Sequence, residues 1–178
     1  ITVSLVHQDC SWIVTDVEAG DQTQHHYGLA VDYGSTTVVM RLIDMNTGGM
    51  IGEEQAVNGQ SRFGSDILSR ITYSMEKPLH ANHLHAATVE TFDNLLAQLT
   101  ESTGIDASKC PTMIVSGNTT MIHFLLKLNA WTVFAAPYAP VATNPGFFCG
   151  KELGIDFDGI VYMIPAASNY IGGDIVSG

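Results

Sequence analysis

At 178 residues and 46% hydrophobic content, the chain is long enough to bury one core, or to form one half of a bilobal protein. A formal charge of −11 with only seven Lys plus Arg excludes a nucleic-acid surface, which needs cations to displace backbone counterions, and equally a role on an anionic membrane. No apolar run approaches the ~20 residues of a spanning helix and no secretory leader is visible, so a cytoplasmic location is expected.

The first elements are short. Apolar runs from Ile1 to Val6 and from Trp12 to Val17 predict two strands, followed by a polar connection from Glu18 to Gln24. His25 and His26 are adjacent, so in a strand they point to opposite faces and make a poor shared metal site. Cys10, Cys110 and Cys149 are three in number and far apart, which gives neither a disulfide framework nor a CxxC metal site.

The run Gly28-Leu29-Ala30-Val31-Asp32-Tyr33-Gly34-Ser35-Thr36-Thr37-Val38-Val39-Met40-Arg41-Leu42-Ile43-Asp44 reads as two strands and a turn. Gly34 frees the backbone, and Ser35, Thr36 and Thr37 add hydroxyls to successive N–H groups. Such a turn can cradle a phosphate, with Asp32 holding a Mg²⁺ through water; it can equally be an ordinary hairpin. After the turn at Asn46 to Gly49, Met50 to Val57 returns as a third strand of an antiparallel meander. Asn58 to Gly64 is a loop, and Phe63, Ile67, Ile71 and Met75 recur at helical spacing behind a start at Ser65 or Asp66. Arg62, Asp66 and Arg70 line one side of that stretch, as an ion-paired surface or as a ligand-facing row.

His80, His83 and His85 lack a supporting carboxylate pattern for a metal. From Leu84, the residues Phe92, Leu95, Leu96 and Leu99 mark a long helix that Gly104 stops. A loop over Asp106 to Lys109 and Pro111 precede a buried strand, Thr112 to Val115. That strand delivers Ser116-Gly117-Asn118-Thr119-Thr120-Met121-Ile122-His123, a turn of small residues that continues as a helix through Leu128. Backbone and side-chain groups there face a ligand at the carboxyl edge of a sheet, cap the helix through Asn118 or Thr119, or do both. Pro137, Pro140 and Pro145 forbid a long helix between Trp131 and Gly150. Gly159 to Pro165 is a strand, and the tail from Ala166 to Gly178 is glycine-rich, with Asp174 beside Gly172 and Gly173.

Three features in this order resemble the superfamily of acetate and sugar kinases, Hsp70 and actin, and within it the ATP-dependent reductive activators of corrinoid proteins. The resemblance rests on Ala30-Val31-Asp32-Tyr33-Gly34-Ser35-Thr36-Thr37-Val38, Phe63-Gly64-Ser65-Asp66-Ile67-Leu68-Ser69-Arg70-Ile71, Gly117-Asn118-Thr119-Thr120-Met121-Ile122-His123 and Ile171-Gly172-Gly173-Asp174-Ile175, and it covers roughly residues 27–178. It implies an α/β fold, a ribonuclease-H-like (actin-like ATPase) lobe with a mixed sheet flanked by helices. The implied division is an N-terminal strand and linker segment over 1–26, a first lobe over 27–160 and the start of a truncated second lobe over 161–178.

By the same resemblance Asp32 and Asp174 are the candidate catalytic and metal-holding acids. Gly34, Ser35, Thr36 and Thr37 surround the phosphates with Gly117, Asn118, Thr119, Gly172 and Gly173, and ATP with Mg²⁺ is the expected cofactor pair. Phosphoryl transfer needs such positioning and charge neutralisation more than covalent chemistry. The implied task is to couple ATP hydrolysis to reduction of a cobalt(II) corrinoid to cobalt(I), with a corrinoid protein as partner and a homodimer left open. Electrons come through a [2Fe–2S] domain ahead of the ATPase. Here the chain departs from the pattern: three cysteines cannot supply a four-cysteine cluster, so the cluster is expected only in a missing N-terminal domain. Ser35 also stands where threonine is commoner. A fragment that is colourless and binds ATP weakly or not at all is therefore expected. The alternatives are a small-molecule kinase of the same superfamily and a non-catalytic docking module for a corrinoid protein.

Overall fold

The computed structural model describes residues 1–8, 10–169 and 171–177. Of the glycine-rich tail expected over 166–178, Tyr170 and Gly178 lie outside the described residues. Strands β1 (Thr2–Gln8) and β2 (Ser11–Glu18) form an antiparallel hairpin that makes its own two-stranded sheet. Its apolar residues stay largely in solvent, with Trp12 at 68% and Val17 at 59% exposure.

A six-stranded sheet follows. Strands β3 (Tyr27–Tyr33), β4 (Thr37–Asp44) and β5 (Met50–Val57) are the expected antiparallel meander, and β6 (Thr112–Gly117), β7 (Gly146–Cys149) and β8 (Ile160–Met163) complete the order β5-β4-β3-β6-β8-β7. Strands β3, β6 and β8 are paired parallel to one another; β4 and β7 run against them, and β5, antiparallel to β4, again points the same way as β3. The expected lobe boundary between residues 160 and 161 falls within β8, which pairs with β6.

Period-two alternation decides which face is covered. Leu29, Val31 and Tyr33 of β3, Val38, Met40 and Leu42 of β4, Met113 and Val115 of β6, and Val161 and Met163 of β8 are all buried in one core. Helix α2 (His80–Thr103) lies across them, presenting Leu84, Phe92, Leu95 and Leu99 at 0% exposure. Gly104 ends it in the left-handed conformation at φ 73°, its N–H returned to Thr100 O, as the stop signal required. The helix begins at His80, earlier than the apolar spacing from Leu84 indicated. His80 stacks on Tyr73 with ring centroids 3.9 Å apart, and its Nδ1 lies 2.8 Å from Tyr73 O, which closes the corner with α1 (Ile67–Glu76).

Helix α3 (Thr119–Leu125) is shorter than expected, ending before Leu128, where Lys127 at φ 56° turns the chain away. In the proline-rich segment the chain makes only a short helix α4 (Trp131–Phe134) and strand β7, consistent with the exclusion of a long helix. A last turn, α5 (Gly173–Ser177), lies near the sheet's other face, joined to it by Ser116 Oγ and Ser177 Oγ at 2.6 Å.

Candidate functional site

The parallel strands β3, β6 and β8 end at Tyr33, Gly117 and Met163, and the candidate residues lie at these ends or beyond them: Asp32 one residue before the end of β3, Gly34 to Thr37 in the turn into β4, Gly117 to Thr119 where β6 passes into α3, and Gly172 to Asp174 at the start of α5. Asp32 pairs in register with Ser116, and Tyr33 with Gly117. The carboxyl edge of the parallel strands is where α/β sheets receive ligands.

The first loop is tied from behind. Asn58, wholly buried, donates from Nδ2 to Gly34 O at 2.8 Å and from its backbone N–H to Thr36 O at 2.8 Å, while its Oδ1 accepts from Gln60 N at 2.9 Å. Arg70 donates from Nη1 to Ser35 O at 2.7 Å and from Nε to Gly64 O at 2.9 Å. Three successive carbonyls are thus held against the body of the lobe. In a trans peptide the N–H points opposite to its carbonyl, so the N–H groups of Ser35, Thr36 and Thr37 face away from Asn58 and Arg70. Among the described residues neither the N–H groups of Ser35 and Thr36 nor the hydroxyls of Ser35, Thr36 and Thr37 have a protein acceptor, and the exposed Asp32 carboxylate has no partner. The arrangement leaves successive donors unsatisfied three to five residues after an exposed acid, the group types an anion cradle uses. Gly34 is required sterically: a Cβ there would lie 2.5 Å from Thr37 O.

Tyr33 anchors the strand end. Its ring is buried edge-on to Phe92 at 5.3 Å, and its hydroxyl lies 2.5 Å from Thr88 Oγ1 and accepts from Gln60 Nε2 at 3.0 Å. Burial raises its pKa well above the ordinary phenol value, so it stays neutral.

The second and third loops are joined to each other. Asn118 Oδ1 accepts from Met121 N at 3.0 Å and so caps α3, and Thr119 Oγ1 donates to Ser168 O at 3.2 Å. Gly172 packs onto this turn so closely that a Cβ would sit 2.5 Å from Asn118 Cα and 2.8 Å from Thr119 N; at Gly173 it would sit 2.8 Å from Ile164 O. His123, with 0% exposure, pins the same turn: its Nδ1 lies 2.7 Å from Thr119 O and its Nε2 accepts from Val141 N at 3.0 Å. This pattern assigns the proton to Nδ1 of a neutral ring, and burial lowers its pKa. Asp174 is exposed on the first turn of α5, its Oδ1 accepting from Ile175 N at 3.0 Å.

The row Arg62, Asp66 and Arg70 does not act as one line: only Arg62 is part of an ion-paired surface. Arg62 bonds Glu90 of α2 at 2.8 Å, and Asp66 caps α1 in a reciprocal box with Ser69. Arg70 is buried at 1% exposure. Helical spacing aligned the three, but the approach of Ser35 and Gly64 drew the last one inward. Sequence reasoning also passed over Asn58, read as loop; its only signal was its place between a strand and the Phe63-Gly64-Ser65-Asp66 motif. Cys110 is buried, which pushes its thiol up to about 12, so it is a packing residue. Among the described residues no group of three or more His, Cys, Asp or Glu could hold a metal, the histidines of α2 included. A cavity of about 440 Å³ lies near the start of β3, between Thr2 to Leu5 of the hairpin and Tyr27, Asn46 and Lys109, and none of the candidate residues lines it.

A three-stranded meander extended by two parallel strands, with three loops gathered at their carboxyl ends, defines a ribonuclease-H-like α/β lobe. The model of the RACo middle region matches residues 27–178, and the chain belongs to that family. It is similar to the corrinoid activation enzyme RamQ of Eubacterium limosum, 29% identical over 164 residues that are 91% of this chain and 28% of that protein. It also superimposes on a solved "Reductive activator for corrinoid,iron-sulfur protein" with a TM-score of 0.91 and 34% identity, over 98% of this chain and 28% of the other. The chain therefore spans little more than a quarter of either relative. No helix among the described residues is long and apolar enough to cross a membrane.

Proposed function

We propose that this chain is the lobe of a corrinoid-protein reductive activator that holds the phosphates of ATP, and that the protein containing it couples ATP hydrolysis to reduction of cobalt(II) corrinoid to cobalt(I). The observation that carries the reading is the first loop, with its carbonyls tied back by Asn58 and Arg70 and its Ser35 and Thr36 donors left free beside Asp32. The relatives, a corrinoid activation enzyme and a reductive activator, supply the substrate class.

The residues fit the pair ATP and Mg²⁺. Donors at Ser35, Thr36 and Thr37 suit phosphate oxygens, and the unpartnered carboxylate of Asp32 suits a hard cation that keeps its waters. Asp174, on the loop bound to Asn118 and Thr119, is the second acid at this edge of the sheet. When bound, Mg²⁺ supplies neutralisation of phosphate charge. The chain's own contribution is to fix the donors in advance, so that little reorganisation accompanies charge development. Electron delivery belongs to a [2Fe–2S] domain outside this segment, because three scattered cysteines cannot ligate a cluster. The partner is a corrinoid protein, and the setting is cytoplasmic.

The test is Asp32→Ala in a protein carrying this lobe together with the regions that flank it in its relatives. ATP-driven appearance of the cobalt(I) spectrum should fall by at least ~100-fold, the scale of losing one electrostatic group in a preorganised site. The cluster's visible absorption and the thermal midpoint should stay as they were. Retention of ATP-driven reduction by the variant would sink the assignment.

A further inference from the structure

The motif Phe63-Gly64-Ser65-Asp66-Ile67-Leu68-Ser69-Arg70 touches the first loop only through Arg70, and the rest of the motif serves to place that side chain. Gly64 leaves no room for a side chain, since a Cβ would lie 2.9 Å from Arg70 N and 3.0 Å from Arg70 Cγ. Asp66 and Ser69 start α1 with a reciprocal cap, which fixes the helix phase one turn before Arg70. The guanidinium then reaches the back of the first loop and bonds Ser35 O, 35 residues away in the chain.

A buried guanidinium normally meets a carboxylate, because an uncompensated charge inside a protein is costly. Arg70 meets two backbone carbonyls instead; among the described residues no carboxylate lies within ion-pair distance of it, and Asp66 favours its charge only from beyond that distance. A fixed cation therefore stands behind a loop whose free donors face the other way. Resting on the phosphate-cradle reading above, we propose that Arg70 is a positioning residue for the bound oxyanion. It holds the Ser35–Thr36 peptide with its N–H outward and lends the cradle a positive charge that no exposed lysine or arginine of the loop supplies. A unit charge about 8 Å from a phosphate, at an effective dielectric of about 20, changes affinity by roughly tenfold or more. Arginine suits the task because it stays charged when buried and its planar fork keeps one orientation.

The experiment titrates Mg²⁺–ATP into a protein carrying this lobe, segmentally ¹⁵N-labelled, together with the regions that flank it in its relatives, and follows the amides of Ser35 and Thr36 with the Nε–H of Arg70, a readout that works at millimolar Kd. In the wild type all three should shift along one binding curve. If the Ser35 and Thr36 amides do not move, the cradle reading itself fails. If they move while Arg70 Nε–H stays fixed, the cradle stands and the role of Arg70 is overturned. Arg70→Gln should weaken binding at least tenfold, with Arg70→Lys recovering part of it by restoring charge. Equal affinity in a folded Arg70→Gln protein overturns the proposal. Should that variant fail to fold, the wild-type Arg70 resonance decides.

Discussion

The loop after β3 and the loop after β6 end neighbouring parallel strands, yet they use their polar groups in opposite ways. In the first, the fold engages the carbonyls of Gly34, Ser35 and Thr36 and leaves the donors and hydroxyls free. In the second, Asn118 is spent on a helix cap, Thr119 on Ser168, and the backbone on the seat of Gly172. One loop is braced so that it can bind, and the other does the bracing for the tail that bears Asp174. Small polar residues after a strand thus do not by themselves mark a ligand contact; what marks it is which of their groups the protein has left unsatisfied.

The contrast breaks most readily at Gly172. A Cβ there would meet the Asp174 carboxylate, which can swing away, but also the backbone atoms Asn118 Cα and Thr119 N, which cannot. Gly172→Ala should cost about 1–3 kcal/mol by overpacking, and a loss near 2 kcal/mol lowers Tm by roughly 4–8 °C in a chain of this size. Calorimetry on the variant checks it. An unchanged Tm would mean that the tail does not rest on the second loop, and the division of labour between the loops would go with it.

How much of this was legible depends on whether the deciding interaction is local. The meander β3-β4-β5 follows from alternation and from turns at Gly34 and Asn46 to Gly49, and the cap at Asp66 and the stop at Gly104 are written in adjacent residues. The burial of Arg70 is not, because the same helical row serves an ion-paired surface unless Ser35 and Gly64 arrive at its end. Nor is β7, whose four residues become a strand by pairing with β8 rather than by any strong local pattern. At the site, the first loop's residue types were readable, but the direction of its donors was set by Asn58 and Arg70, which lie 24 and 35 residues from the carbonyls they hold.

Acid sharpens the comparison, because the second loop rests on a histidine and the first does not. Burial depresses the pKa of His123 below that of the unfolded chain, and the same holds for His85, whose Nδ1 lies 2.7 Å from Leu125 O at the end of α3. The unfolded state then binds more protons in the window between the folded pKa and about 6.5, so stability is full above about pH 6.5 and declines as pH falls through that window. Tm should be flat from about pH 8 to 7 and fall from about pH 6.5 to 5. In His123→Gln the slope should be shallower, with the remainder owed to His85. An identical slope in the variant would remove His123 as the acid-sensitive pin of the second loop.

The smallest expected effect is also the most discriminating. Thr36 and Thr119 are the same residue type after neighbouring strands, but the hydroxyl of Thr36 has no protein partner among the described residues while that of Thr119 donates to Ser168 O. Thr119→Ala should lose about 1 kcal/mol, the net worth of a hydrogen bond whose acceptor is left behind. Thr36→Ala should stay within about 0.5 kcal/mol of the wild type, as an exposed substitution without a partner does. Urea unfolding of both variants measures the difference, with m unchanged as the condition for comparing them. A Thr36 loss as large as that of Thr119 would show that its hydroxyl already serves the fold, and would leave the first loop with less to offer a phosphate than its free groups suggest.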